Sequence, residues 1–533
     1  MNANTQCQKI VLSGETLTTE DIVAIGEGAR AVSLDPQALL RCERSRQVLE
    51  RAVAEGQVIY GVNTSYGPMC NKIIDNASIE ALQHNLIISH AAGLGAPLSP
   101  GLARATMAVR LNTLVKGYSG VRVALLAQMR DMLNAGIAPY IPECGSVGAS
   151  GDLIHLAHMS LAILGLGQAF HHGVAMEASA ALARAGLRPL TLACKEGLAL
   201  INGTAAMTAI AAYALADAEK LCNVACVNAA LGVEIFGGIS DAFDADLHRI
   251  KPHPGQQRIA ATIARLCQGT SNLTSREALH RPIRAQAREG EAVYETSITV
   301  QDVYSLRCTP QVLAPVREAL DAARRTVEIE ANSSNDNPLV IPEEGKILHG
   351  GNFHGQSISM AMDMLCIAVS TLCNLAERRL NKLLDKNLSE GLPEHLIDGP
   401  AGLAMGFMGA QYLATSTTAE NRNLAAPMSV NTISCNASNQ DVVSMGTVAA
   451  RKALRVVENA KHVLTLETLA DLQALSFRNA AGLGHANRRI YRLLAAHFQP
   501  YDNRRIFHDD LVKFRQLLFA GDTFTDLERY HAC

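Results

Sequence analysis

Pro142-Glu143-Cys144-Gly145-Ser146-Val147-Gly148-Ala149-Ser150-Gly151-Asp152-Leu153-Ile154-His155-Leu156-Ala157-His158 is the stretch on which the reading of this chain turns. Gly145, Gly148 and Gly151 relieve the steric limits on a tight bend. An apolar run begins at Leu153, and Asp152 stands where a helix N-cap would stand. Ser150 invites a nucleophile reading. The window Gly148 to Asp152 nevertheless carries Asp152 where a G-x-S-x-G elbow needs its last glycine, which disfavours a hydrolase. Read from its residues alone, the segment is a glycine-rich turn that opens a helix.

On either side of this turn the chain has two characters. Residues 11–18 and 57–62 are short strand-like runs. Residues 35–55 have the three- and four-residue apolar spacing of a helix, with Asp35 as N-cap and Pro36 at its first position. Residues 60–76, rich in Gly, Asn, Ser and Pro, read as a long loop, and loops of that length in compact proteins are often functional. From about residue 205, Ala, Leu and Ile dominate. Residues 204–225, 309–332, 357–386 and 441–475 read as long helices apolar enough for a central bundle. Charged stretches at 269–291 and 390–399 interrupt them, and the last 60 residues are helical and more polar. The expected fold class is mainly α. A mixed N-terminal domain covers residues 1–204, and a helical bundle with a C-terminal helical layer covers 205–533.

Composition sets bounds on function. With 533 residues the chain is too long for one ordinary core, and about 150 residues per domain predicts three or four units. Hydrophobic residues make up 48%, aromatics only 4%, and tryptophan is absent, so the apolar content must come from small and aliphatic side chains. The formal charge of −3 excludes a globally basic nucleic-acid binder or a polybasic membrane protein, though not a local patch. Residues 153–170 are the richest membrane-span candidate, but His155, His158, Gly165 and Gly167 make a buried helix the better reading. The N-terminal residues lack the apolar segment of a secretory leader. The thirteen cysteines are scattered without a CxxC pair. Cys222 and Cys226 lie one helical turn apart but have no partners to complete a zinc set, so no metal is expected. Free thiols in a reducing cytoplasm are the expectation.

Further motifs follow in order. They are Tyr60-Gly61-Val62-Asn63-Thr64, Leu200-Ile201-Asn202-Gly203-Thr204 and Gln301-Asp302-Val303-Tyr304-Ser305-Leu306-Arg307. Asn335-Asp336-Asn337-Pro338, His349-Gly350-Gly351-Asn352-Phe353-His354-Gly355 and Asn439-Gln440-Asp441-Val442-Val443-Ser444-Met445 complete the series. With Ala149-Ser150-Gly151, they resemble the motifs of the MIO-dependent aromatic amino acid ammonia-lyases and aminomutases over roughly residues 55–450. Ser65-Tyr66-Gly67 departs from the commoner Gly-Phe-Gly ending of the first motif, and no motif falls after about Leu475. The resemblance implies that Ala149, Ser150 and Gly151 cyclise with loss of two waters into 4-methylidene-imidazol-5-one (MIO), formed autocatalytically with no external cofactor. It also implies a fumarase/aspartase-like helical bundle and a cytoplasmic homotetramer with sites built from more than one chain. The implied partner is a small aromatic amino acid, with no nucleic acid and no membrane.

The residue roles implied are these. Tyr60, otherwise an ordinary half-buried aromatic, is the base that removes a β-proton, which requires a site that stabilises phenolate. Arg307, otherwise a surface arginine, binds the substrate carboxylate through its fork. Tyr304 and Gln301 lie at the MIO and substrate, unless they merely pack a helix. Asn202 bonds near the MIO carbonyl oxygen. Phe353 lies beside the prosthetic ring, and Asn335, Asn439 and Gln440 form a polar shell. Glu420 is either a solvated helix acid or a pocket residue. Ser89 and His90 face the substrate ring, where a polar histidine suits a ring bearing a hydrogen-bonding group. Ser-His occurs in histidine and in some tyrosine enzymes. Asn439-Gln440-Asp441-Val442-Val443 and Glu377-Arg378-Arg379-Leu380-Asn381 resemble the tyrosine branch more than the histidine branch. The expected reaction is therefore elimination of ammonia from L-tyrosine to p-coumarate. L-histidine to urocanate, a tyrosine 2,3-aminomutase and a non-catalytic helical scaffold remain as alternatives.

Overall fold

A computed structural model describes residues 9–287, 290 and 292–530. Cys7, Cys533 and the end of the charged 269–291 stretch lie outside the described residues. Where apolar residues recur at helical spacing, helices form. The 35–55 pattern becomes the helix Pro36–Ala54, and the Asp35 carboxylate accepts the Ala38 N–H at 2.8 Å as its cap. The four long apolar patterns become Ala205–Ile235, Thr309–Ala331, Gln356–Leu384 and Gly446–Ser476.

Several local expectations are corrected. Residues 57–62 form a turn rather than a strand. Of residues 11–18, only the start joins a strand, Ile10–Leu12, paired in parallel with Val32–Leu34. Residues 153–170 are not one helix. Leu153–Ile163 ends before Gly165 and Gly167, both at positive φ, and Gln168–His171 continues as a strand. The 269–291 stretch contains a helix, Arg276–Arg284.

The described chain separates into two compact units. The first takes the described residues up to Ala216 together with Ala322–Met364 and Pro427–Leu454. Its core is lined by the helix Pro100–Val115, where Ala103, Ala105, Met107, Ala108, Val109 and Leu111 are inaccessible to solvent. Small sheets flank this helix. Ile137–Pro139, Gln168–His171 and Val174–Glu177 form an antiparallel set, and Leu94–Pro97 pairs with Pro142–Cys144. That last strand leads directly into the glycine-rich turn.

The second unit takes Asp217–Asp321, Leu365–Ala426 and the described residues from Arg455 onward. A buried polar clasp ties its helices. Arg379 pairs with Glu467, and Asn228 donates to Glu467 Oε2 at 3.2 Å and accepts from Thr468 at 3.0 Å. Burial pushes the Glu467 and Asp471 carboxyls upward. By length and composition the helix Gln356–Leu384 could cross a membrane, but 67% of its most apolar window is buried inside the protein, as in a central bundle helix. No group of three or more His, Cys, Asp or Glu that could hold a metal occurs among the described residues.

Candidate active site

The turn after Pro142–Cys144 is held from several parts of the first unit. Gly151 sits at φ +72° and forms a parallel bridge to Gly203. A Cβ on Gly151 would lie 2.1 Å from the Gly203 carbonyl oxygen, so only glycine fits. Met445 N–H donates to Val147 O at 2.8 Å, and Gly355 N–H to Gly148 O at 3.1 Å. Ser444 Oγ also donates to Gly148 O, at 2.8 Å.

Asp152 has a different role from the one expected. It begins the helix Leu153–Ile163, but its side chain makes no capping bond there. Its fully buried carboxylate accepts from Ser146 Oγ at 2.9 Å, from Thr447 Oγ1, and from Met207 N–H at 2.8 Å. Met207 is in the first turn of Ala205–Ile235, so Asp152 caps a helix at a residue 55 positions away in sequence.

Within this frame Ala149 is 3% exposed and packs against Val443 and Met445. Gln440 Nε2 donates to Ser150 Oγ at 2.9 Å, and Asn202 Nδ2 donates to Ser150 O at 3.0 Å. Asn202 Oδ1 is buried without a partner. Behind Asn202 lies Arg110, fully buried, which sequence reasoning missed. It donates to Asn202 O at 2.9 Å, Ala199 O at 2.9 Å and Asn335 Oδ1 at 2.8 Å. Asn335 passes the chain on to Thr204 Oγ1 at 2.9 Å, and Thr204 donates to Glu330. Burial lowers the Arg110 pKa to about 10 and raises that of Glu330. Arg104 and Arg110 are the two charged residues of the 100–115 run, and nothing in that pattern singles out Arg110 for this role.

Tyr60 lies in the predicted loop. Its phenol oxygen accepts the Gly67 N–H at 3.0 Å, and its backbone N–H donates to His349 Nε2 at 3.2 Å. Tyr66 stands edge-on at 6.5 Å. Gln83 donates to the Tyr66 phenol at 3.0 Å and to Gly61 O at 3.1 Å. The expected stabilisation of phenolate is not what these residues provide: burial pushes the Tyr60 phenol upward, opposed by the Gly67 N–H.

Ser89 and His90 end the helix Ile79–His90. His90 Nδ1 lies 2.9 Å from the Leu86 carbonyl and 3.2 Å from Ser89 Oγ. A carbonyl only accepts, so Nδ1 donates to Leu86 O, and in the neutral ring Nε2 presents a lone pair. Phe353 is half-buried in a turn, and Asn439 is exposed. Gly67 abuts Asn436, which begins three successive residues at positive φ, Asn436, Ala437 and Ser438.

The structure thus joins Ser150, Asn202, Asn335 and Gln440 in one hydrogen-bonded set within the first unit. Gln301, Tyr304, Arg307 and Glu420 belong to the second unit. There the Arg307 guanidinium lies 4.6 Å over the Tyr304 ring and its Nε donates to Asp302 O at 2.7 Å. Tyr304 is 70% exposed, and Gln301 is exposed too. Glu420 is an exposed helix acid paired with Arg455 at 3.3 Å.

Residues 17–496 match the family model described as aromatic amino acid lyase. The histidine ammonia-lyase of Alkaliphilus metalliredigens is 41% identical over 522 residues, covering 98% of this chain and 99% of that protein. Among solved structures, the tyrosine aminomutase of Streptomyces globisporus superposes with a TM-score of 0.93 at 38% identity, covering 98% of both chains. The histidine ammonia-lyase of Trypanosoma cruzi gives 0.87 at 34% identity, covering 98% of this chain and 96% of that one.

Proposed function

The chain belongs to the aromatic amino acid lyase family and is a carbon–nitrogen lyase, and from that premise we propose that it eliminates ammonia from L-histidine to give urocanate. The observation that carries the substrate is the near full-length similarity to proteins named histidine ammonia-lyase. The tyrosine expectation yields to it, for a physical reason. The segments that pointed to tyrosine serve packing and the triad rather than a substrate ring: Gln440 bonds Ser150, Glu377 pairs with Arg378, and Arg379 is sealed against Glu467. His90 supports the histidine reading, since its free Nε2 lone pair can accept an imidazole N–H. The same lone pair accepts a phenol O–H, and the likeness to a tyrosine aminomutase keeps tyrosine as the second reading.

Ala149, Ser150 and Gly151 fit an MIO precursor. The bend is tight enough to exclude any Cβ at Gly151, and Asn202 donates its Nδ2 to the Ser150 carbonyl while its buried Oδ1 has no partner. When formed, MIO supplies the electrophilic carbon that no unmodified side chain offers. The remaining work falls to the chain's own residues. Asn202 and Gln440 hold donors at the triad where negative charge develops. Arg110 fixes Asn202 and Asn335, so that neither has to reorganise. Tyr60 takes the β-proton. Burial without substrate keeps its phenol protonated, so lowering its pKa falls to cationic groups brought in when the site is complete. Arg307, stacked on Tyr304, presents its outer nitrogens to the substrate carboxylate. Phe353 and His90 hold the ring, and closure of the 60–76 loop excludes water. A homotetramer, in which a neighbouring protomer covers the exposed Tyr304 and the half-buried Arg307, completes this reading.

Purified protein given histidine, tyrosine and phenylalanine separately tests it by the absorbance of each conjugated acrylate. Urocanate should form fastest. Faster p-coumarate would replace the substrate assignment, and a β-amino acid product would make the enzyme an aminomutase. Ser150→Ala should abolish turnover and leave no loss of two waters in the intact mass.

A further inference from the structure

Gln440 reaches Ser150 from the end of a short, tightly closed loop in the first unit. Cys435 and Gln440 pair as an antiparallel bridge: the Cys435 N–H donates to Gln440 O at 3.1 Å, and the Gln440 N–H to Cys435 O at 3.3 Å. Between them Asn436, Ala437 and Ser438 sit at φ +53°, +52° and +61°, a left-handed region that is unfavourable for residues with a Cβ. Such backbone persists only where its surroundings hold it, and the Asn439 N–H closes the loop on Asn436 O at 3.1 Å. Cys435 is half-buried and packs on the cluster of Ala149, Val443 and Met445.

The side chains continue this arrangement. Gln440 Nε2 donates to Ser150 Oγ at 2.9 Å, and the Cys435 thiol donates to Gln440 Oε1 with its sulfur 3.4 Å away. A carboxamide donates from one end and accepts at the other. Holding Oε1 at the thiol therefore aims the N–H end at the Ser150 hydroxyl, where the flipped amide would set an acceptor. Asn202 Nδ2 donates at 3.0 Å to the Ser150 carbonyl, which is bonded to the same Cα. Two amide donors thus flank Ser150, one at its hydroxyl and one at its carbonyl.

Resting on the reading of Ala149, Ser150 and Gly151 as an MIO precursor, we propose that Gln440 promotes loss of the Ser150 hydroxyl while that group forms, and that Cys435 is the residue that positions Gln440 for it. In this elimination the Cα–H and Cβ–Oγ bonds of Ser150 break and a Cα=Cβ bond forms. The Cα proton passes to solvent water. Oγ leaves with its own hydrogen and the bonding electron pair as hydroxide, which takes a proton from solvent, so the sum is one water lost. The Gln440 N–H stabilises the negative charge that gathers on the leaving oxygen, and the Asn202 N–H does the same for the carbonyl oxygen as the Cα proton departs. The other water comes from condensation of the Gly151 nitrogen with the Ala149 carbonyl and does not involve Oγ.

Full-length protein made by cell-free synthesis, sampled over time and weighed as intact chains, tests this. Wild-type chains should lose two waters. Gln440→Leu should accumulate chains that have lost only one, with the second loss slowed about 10²-fold, as for removal of one preorganised donor. Cys435→Ala should slow the same step about threefold to tenfold, the range for one neutral hydrogen bond. Cys435→Ser keeps a donor and should restore most of the rate. On a Gln440→Leu background Cys435→Ala should add nothing, because both act at one contact, whereas a merely structural cysteine would slow both backgrounds equally. The inference falls if the second loss keeps its wild-type rate in Gln440→Leu or in Cys435→Ala, or if Cys435→Ala slows both backgrounds equally. It also falls if the variants lose no water, which would mean that the bend itself is disturbed. Wild-type chains that lose no water overturn the MIO reading together with this inference; wild-type chains that lose two, at the rate of the variants, overturn this inference alone.

Discussion

At the scale of single residues, the hydroxyl and carbonyl of Ser150 each receive one side-chain amide, and the two donors have different surroundings. Asn202 is anchored by Arg110, whereas Gln440 sits in an irregular, half-buried loop beside Cys435. Gln440→Leu should therefore leave the fold intact and lower kcat more than it raises KM, by about 10²-fold in line with removal of one preorganised donor; an unchanged kcat would place Gln440 outside the chemistry. Arg110→Met should act on stability instead, because it strands Asn335 Oδ1 and two carbonyls in the interior at about 1–3 kcal/mol each, measurable by urea denaturation. His155 gives a pH prediction. It is buried, its Nδ1 has no partner, and burial lowers its pKa from 6.5. The folded state thus favours the neutral ring, so this contribution is full above pH 6.5 and is lost as pH falls through and below it. Melts between pH 7.5 and 5 should show a decline that is shallower in His155→Gln. Motif residues such as Ser150 and Asn202 were legible because their types are distinctive. Arg110 and Glu330 were not, since their roles arise only when segments far apart in sequence meet.

At the scale of elements, the long helices were legible because their apolar spacing repeats over many turns. The same logic found Asp35 and Pro36, and Asp35→Ala should cost about 1 kcal/mol, a usual value for an N-cap, read as a shift in the urea midpoint without change in m. Short strands were illegible, because three residues carry too little pattern to separate strand from turn. Residues 57–62 look extended by composition, yet Asn63 accepts the Ile59 N–H at 2.8 Å and donates to Gln57 O, folding the segment back on itself. Asp152 shows the limit of capping rules. Its position at the start of a helix was read correctly, but the helix whose amide it satisfies is another one.

At the scale of the whole molecule, the expected site residues fall into two groups, with the triad and Tyr60 in one compact unit and Arg307 and Tyr304 in the other. If sites are assembled from more than one protomer, Ser150→Ala and Arg307→Ala should each be inactive alone. Co-refolding the two should restore activity above either parent, because some mixed sites then carry no lesion. No recovery in a verified mixed oligomer would assign both residues of each site to one chain. The Asp152 carboxylate carries a last consequence. It gathers groups from positions 146, 207 and 447, and Ser444 and Gly355 close on the same bend. A ribosome must therefore have released the chain past position 447 before the bend acquires its native shape. If Ala149, Ser150 and Gly151 cyclise as proposed, that dependence would make cyclisation a checkpoint on maturation: a chain in which these segments had not met would not form the reactive carbon.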